Sequence, residues 1–249
     1  MTHRDALRDA RHALARLAAA ERAYLDGQPY RLLHRYDPRA GIYTVQAEVA
    51  RRIPAEVPAL AASVLRLAVT ALGELMRALT SVAGAVEVRF PIHDTLPQFA
   101  QRSRRALAGI PDAAQATIEE LQPYHRLGGF RHDPLWLLRE LDAAGEPRTA
   151  AGSVRPDATL GVNTKRDVAI VGELRARAGS FEHGAIIVSV AATVAGADPK
   201  LDLFFRPGFE LAFAPGEPAR GAPLVGTLGA ICDHVEQAVF ARLEPCLRG

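Results

Sequence analysis

A long stripe of apolar residues in the first third of the chain sets the strongest limit on the fold. After Pro54 and Pro58, apolar side chains recur about every 3.5 residues over positions 59–83, which predicts one long helix. Its members are Leu65, Val69, Leu72, Leu75, Met76, Leu79 and Val82. A stripe this wide must pack against neighbours, so it predicts a helical core and, as a hypothesis, a homodimer through this helix.

Helical periodicity and turn residues place the other elements of the first 150 residues. A helix is predicted over 4–27, and prolines separate three short helices near 96–108, 112–122 and 134–143. Between the two long helices, 31–36 and 42–51 predict a β-hairpin, because the second segment alternates apolar and polar residues after a Pro-Gly turn region at 37–41.

The pattern changes to strands after a junction at 144–166 that is rich in Gly, Pro, Ala and Thr. Strands are predicted at 168–177, 184–195, 201–206 and 208–214, with a turn or bulge at Pro207-Gly208, and a final helix at 222–245. The expected fold class is therefore α+β: a helical N-terminal part (1–150) with an inserted hairpin, then a small antiparallel sheet capped by a C-terminal helix (151–249).

Composition narrows the functional classes. The chain has 28 arginines against only Lys165 and Lys200, a bias expected of a GC-rich bacterial genome, and its formal charge of +2 does not make a broad nucleic-acid platform. No signal-peptide core or membrane-length apolar run is visible. Cys232 and Cys246 lie 14 residues apart on one predicted helix, too far apart for a disulfide. A cytoplasmic protein with reduced thiols, bound to no membrane, is expected.

Short motifs follow one another in a fixed order over residues 5–150. They are Pro29-Tyr30, Gly41-Ile42-Tyr43, Phe90-Pro91-Ile92, Gln122-Pro123-Tyr124 and Pro134-Leu135-Trp136-Leu137-Leu138. In this order they resemble a family of uncharacterised bacterial and phage-associated proteins with a HEPN-like helical N-terminal part. The resemblance implies an R-x4-H pattern on the long helix, as in HEPN ribonucleases. In those enzymes a dimer brings two such Arg/His pairs together. There a histidine moves protons and an arginine holds the phosphate.

This chain departs from that pattern at its polar positions. The family segment of type H-N-L-R-S-A-L-D-H falls on residues 73–81, where Met76 replaces the arginine and Ser81 the histidine. Arg77 lies one position away, about 100° round the helix. A second family segment, S-N-x-D-K-H-R, falls on 142–148 and keeps only Arg148. The resemblance therefore implies a divergent member with the fold and without the site.

The densest polar cluster in the sequence lies at residues 124–133, and it supplies the remaining site candidates. Loops of this kind often carry function. Candidate catalytic residues are His125, Arg126, His132 and Arg77, and candidate ligand-binding residues are Tyr124, Arg131 and Asp133. No ligand spacing typical of a metal site and no nucleotide-binding motif occurs, so neither a metal nor a cofactor is expected. Asp233-His234 on the last helix is interpreted as a solvated or partly satisfied pair.

Three functional hypotheses remain open. The first is a catalytically inactive, HEPN-like interaction or scaffold protein, because the Arg and His of the family pattern are missing. The second is an RNA-binding protein or ribonuclease that uses the displaced residues Arg77, His125, Arg126 and His132. The third is a small-molecule binder or enzyme, which a pocket of several hundred Å³ with convergent polar groups would favour.

Overall fold

A computed structural model shows that helices and antiparallel strands are mixed, as the sequence predicts for an α+β fold. The structure describes residues 1–37, 39–80, 89–154, 159–163, 168–170, 175–176, 179–180, 185–194, 202–206 and 209–248. The predicted turn at Pro207-Gly208, together with Ser81 and Val82, lies outside the described residues.

The helices lie close to their predicted positions. Pro111 immediately precedes one helix, and Pro134 is the first residue of another, where proline costs no backbone hydrogen bond. The α-helices are α1 (His3–Asp26), α2 (Glu56–Leu79), α3 (Leu96–Arg102), α4 (Asp112–Glu120), α5 (Pro134–Ala144), α6 (Leu224–His234) and α7 (Ala241–Leu243). A π-helix (Val235–Phe240) joins α6 to α7. Two 3-10 turns, Pro123–His125 and Phe130–His132, lie between α4 and α5, and a third, Glu244–Arg248, follows α7.

The described strands pair antiparallel throughout. They are β1 (Tyr30–Asp37), β2 (Ile42–Val49), β3 (Thr149–Val154), β4 (Thr159–Asn163), β5 (Val168–Ile170), β6 (Arg175–Ala176), β7 (Gly179–Ser180), β8 (Ala185–Val194), β9 (Asp202–Arg206) and β10 (Phe209–Phe213). One sheet has the order β1-β2-β8-β5, with β6 also on β8; β10-β3-β7 and β4-β9 form two more. The predicted hairpin is confirmed, with Tyr36 opposite Tyr43 beside its turn.

The chain divides into two compact units that a single cut at residue 150 does not reproduce. The helical unit contains Met1–Ala19, Glu56–Pro147 and Val225–Gly249, and the strand unit contains Ala20–Ala55 and Arg148–Leu224. The hairpin belongs with the later strands because β2 pairs with β8. The residues of the last helix, from Val225 on, belong with the helices that precede the strands.

The core of the helical unit is built on α2. Half of its 24 residues are buried, including Leu65, Leu72, Leu75 and Met76. Leu135, Leu138 and Leu141 on one face of α5 are fully buried in the same unit. By length and hydropathy alone α2 could also cross a membrane, but this burial is what the core helix of a globular unit shows.

The last helix is fixed to α1 and α4 within the helical unit. Arg11 Nη2 on α1 donates to Asp233 Oδ1 at 2.9 Å, and Arg242 pairs with Glu120. The helices approach closely at Gly229, where an added Cβ would lie 3.8 Å from Leu14. Cys232 is fully buried, and burial raises the pKa of its thiol to about 11.

In the strand unit, the end of α1 is joined to β10. The buried carboxylate of Glu21 accepts a hydrogen bond from the Leu211 backbone N–H at 2.5 Å. The Tyr24 hydroxyl donates to the Arg51 carbonyl at 2.8 Å, and the rings of Tyr30 and Phe209 lie 4.4 Å apart. These bonds tie the hairpin and β10 to the same stretch of helix.

Candidate functional site

The polar cluster at residues 124–133 forms a structured loop between α4 and α5. It consists of two 3-10 turns joined by Gly128 and Gly129, whose positive φ angles of 93° and 104° favour glycine. Five backbone N–H groups along it donate to carbonyls three residues earlier, at 3.0–3.4 Å; the donors are His125, Arg126, Gly129, His132 and Asp133. The loop therefore has a defined backbone conformation.

Gln122 anchors the start of this loop. Its side chain, in a residue only 2% exposed, donates to the carbonyls of Pro91 and Ile118 at 2.8 and 2.9 Å. Its Oε1 accepts from the backbone N–H of His93 at 2.9 Å. All polar atoms of a buried amide are thus used, which fixes where the loop leaves α4.

Asp133 anchors the other end. It is 5% exposed and caps α5, accepting from the Leu135 backbone N–H at 2.8 Å. Its second oxygen lies 3.6 Å from Nη1 of Arg126. A carboxylate at a helix N-terminus is stabilised both by the free N–H groups and by the helix dipole. Of the predicted residues, Arg126 and Asp133 are therefore brought together in a structural role.

Four other side chains of the loop are exposed to solvent. His125, Arg131 and His132 are exposed, and Leu127 at the tip is 98% exposed. The Arg131 guanidinium carbon lies 5.9 Å from the centre of the Phe130 ring, and Phe130 packs edge-on against Trp136. Tyr124 packs its ring 4.5 Å from His125 and buries its hydroxyl. Among the described residues, no polar contact joins His125 to His132.

His234 lies near the loop and is interpreted from the sequence as half of a solvated or partly satisfied pair with Asp233. Asp233 is exposed and bound to Arg11, whereas His234 is half-buried and its Nε2 has no hydrogen-bond partner in the described part of the chain. Burial lowers the pKa of His234; the nearby charge of Asp133 opposes this shift, and that of Arg126 adds to it. The histidine stands immediately before the π-helix, a feature often found at functional sites.

Of the two key positions of the family's polar motif, Met76 lies on α2 and Ser81 lies outside the described residues. Met76 is fully buried, and exposed Arg77 donates to Glu74 at 2.5 Å, one turn earlier on its own helix. No contact within the described ranges joins Arg77 to the 124–133 loop. Arg148, the retained residue of the second motif, pairs with Glu217 at 2.9 Å in the strand unit.

A cavity of about 330 Å³ lies in the helical unit between α2, residues 89–93 and α5. Its walls are largely apolar, with Val69, Leu72 and Ile92 among them. Arg139 lines it and is held by the Ile92 carbonyl at 2.9 Å and Asp94 at 2.7 Å. Burial, followed by the positive charges of Arg139 and Arg102, lowers the pKa of His93 at the same cavity.

The helical unit therefore has two candidate sites, which are the exposed loop at residues 124–133 and the cavity between α2 and α5. No group of three or more His, Cys, Asp or Glu side chains is placed to hold a metal ion among the residues that could be described. Comparison with known proteins finds no matching family model, no matching curated protein and no matching solved structure.

Proposed function

We propose that this chain is a catalytically inactive, HEPN-like interaction protein of the bacterial cytoplasm, and that the 124–133 loop is its recognition element. Two features of α2 support the absence of catalysis. Apolar Met76, at the position of the family arginine, is sealed in the core, and Arg77 is engaged by Glu74 at the surface. In the family's catalytic pair, the arginine must hold the same phosphate on which the histidine acts, so an arginine that points elsewhere cannot replace it.

The loop's construction carries the positive part of the proposal. Its ends are fixed by buried Gln122 and Asp133, while its centre displays arginine, histidine and leucine side chains to solvent. A rigid loop loses little conformational entropy when it binds, so such a scaffold suits recognition. Catalysis would require these side chains to converge on one point. His125 and His132 have no described contact with each other, which supports recognition over catalysis.

The test is incubation of the purified protein with fluorescent single-stranded RNA, with product length measured on a gel and binding titrated against salt. We expect full-length RNA to persist and the His132→Ala variant to behave as the wild type. Cleavage that His132→Ala abolishes would overturn the proposal in favour of a ribonuclease. Saturable binding that weakens steeply with salt, without cleavage, would make the partner an RNA.

Small-molecule binding is a second candidate, because the α2–α5 cavity has the expected size, apolar walls and a few polar groups. Ala143, an exposed residue of its lining, allows a test. A compound that raises the melting temperature of the wild type should not stabilise the Ala143→Trp variant, since the indole would fill the cavity. Equal stabilisation of both would exclude this cavity as the site.

The homodimer through α2 stays a prediction. Its first support was the wide apolar stripe, and most of that stripe is buried inside a single protomer, including Leu65, Leu72 and Leu79. Light scattering at micromolar concentration tests the prediction against the protomer mass of 26.8 kDa. A measured mass of one protomer would show that the predicted homodimer is wrong.

A further inference from the structure

We propose that residues 125–132 dock into an acidic protein surface that contains an apolar socket, and that Leu127 is the anchor that fills it. This inference rests on the proposed interaction function and specifies the partner's chemistry. Scattered single leucines on a surface need no explanation. Leu127 differs because it is 98% exposed at the tip of a loop whose two ends are fixed in the core.

The backbone around Leu127 is held in the displayed conformation. Arg126 N–H donates to the Pro123 carbonyl at 3.0 Å, and Gly129 N–H donates back to the Arg126 carbonyl at 3.3 Å. An added Cβ at Gly128 or Gly129 would meet no atom within 4 Å, so neither glycine serves close packing. Their positive φ angles turn the chain so that the leucine projects into solvent.

Arginines are the charged residues of the exposed tip. The eight residues 125–132 include two arginines and two histidines and no acidic residue. The carboxylate that follows, Asp133, is buried and committed to the cap of α5 and to Arg126. The exposed guanidinium groups of Arg126 and Arg131 beside an apolar tip complement a socket rimmed by carboxylates, because opposite potentials favour encounter and fix the orientation of the complex.

A protein socket fits this tip better than single-stranded RNA. RNA recognition relies on exposed aromatic planes on which bases stack, and on many phosphate contacts. Here the tip is aliphatic, Phe130 is half-buried against Trp136, and the loop offers only two arginines, one of them paired with Asp133. A leucine side chain instead gains its binding energy by leaving water for an apolar surface of the partner.

The experiment uses the full-length chain and a random 12-residue peptide library displayed on phage. Selected peptides are synthesised and titrated by fluorescence polarisation against the wild type and four variants. Leu127→Ala and Arg131→Glu change the loop; Leu96→Ala and Arg104→Glu are matched changes at exposed positions elsewhere. All four residues are surface positions, and circular dichroism checks that each variant is folded.

We expect the selected peptides to combine aspartate or glutamate with a large apolar residue. Leu127→Ala should weaken their binding at least about tenfold, with the Leu96→Ala control unchanged. Enriched peptides without acidic residues, equal affinity for Leu127→Ala, or no enrichment at all would overturn the docking inference. Loss of RNA binding, instead of peptide binding, in Leu127→Ala would overturn it too. RNA cleavage by the wild type would overturn the proposed function itself, independently of the peptide result.

Discussion

At the scale of single residues, Asp133 holds one end of the candidate loop. It links the N-terminus of α5 to Arg126 through separate oxygens, and it is nearly inaccessible to solvent. Sequence reasoning selected it as a ligand-binding candidate from the density of polar residues nearby. Its position before Pro134 also indicates a helix cap, which is the role that the structure shows.

Replacing Asp133 tests this role. The Asp133→Ala variant should lower the free energy of unfolding by about 1–2 kcal/mol, because the first turn of α5 loses its cap. Asp133→Asn keeps an oxygen that can accept from Leu135 N–H, so it should lose less. Urea unfolding followed by circular dichroism compares the two. Equal stability of the alanine variant and the wild type would show that the cap contributes nothing.

We expect His234 to make the free energy of unfolding depend on pH. Burial lowers its pKa in the folded protein, with the charge of Asp133 opposing and that of Arg126 assisting, so the unfolded chain binds the proton more readily. The stabilising contribution is complete above the unfolded-state pKa of about 6.5 and is lost as pH falls below it. Between pH 7.5 and 5.5 the wild type should therefore lose more stability than His234→Gln.

Unfolding midpoints in urea at the two pH values give this comparison. The exposed His12→Gln variant is the matched control for the removal of a histidine. A His234→Gln protein as sensitive to acid as the wild type would exclude His234 as the source.

At the scale of elements, the π-helix within the last helix is a feature that the sequence pattern did not predict. The π-helix Val235–Phe240 inserts one residue into the turn pattern, and the apolar stripe continues through it, so periodicity alone predicts an uninterrupted α-helix. The insertion turns the residues after it by about 100° relative to a regular helix. Phe240 and Leu243 are buried, and Glu244 reaches His3 at 2.9 Å, with this bulge in place.

Deleting Gln237, an exposed residue of the π-helix, should let the helix become regular and turn Phe240 and Leu243 out of the core. The expected loss is at least about 3 kcal/mol in the free energy of unfolding, comparable to emptying a core leucine site. Gln237→Ala keeps the residue count and should stay within about 0.5 kcal/mol of the wild type. A deletion no more harmful than this substitution would show that the register is not fixed by the bulge.

Strands illustrate why local patterns predict some elements and miss others. The hairpin β1–β2 was predictable because its strands alternate and its turn is short. Strands β3 and β4 lie in the region expected to be a junction, since their Ala, Gly and Thr residues have little strand signal. They pair with β10 and β9, which lie far along the sequence, and local periodicity does not record such distant pairing.

At the scale of the whole molecule, both units are built from separated stretches of chain. The α+β class followed from counting helical and alternating segments, but the partners of each segment depend on tertiary contacts. The same limit applies to the candidate site. The polar density of the loop was visible, whereas the placement of His234 beside Asp133 and Arg126 required the last helix to return to the helical unit.

This organisation predicts how a fragment ending at residue 150 behaves. The fragment keeps α1 to α5 but loses the helix that buries Leu228, Ile231 and Val239, and with it the partners of Arg11 and Glu120. It also separates the hairpin from β8. Exposed apolar surface on α1 and α2 should abolish cooperative urea unfolding and promote dye binding typical of a loosely packed state. Co-expression with residues 151–249 is the matched control, because it restores every missing segment with one peptide bond left broken. A fragment 1–150 that unfolds in one sharp transition would show that the helices need neither the last helix nor the later strands.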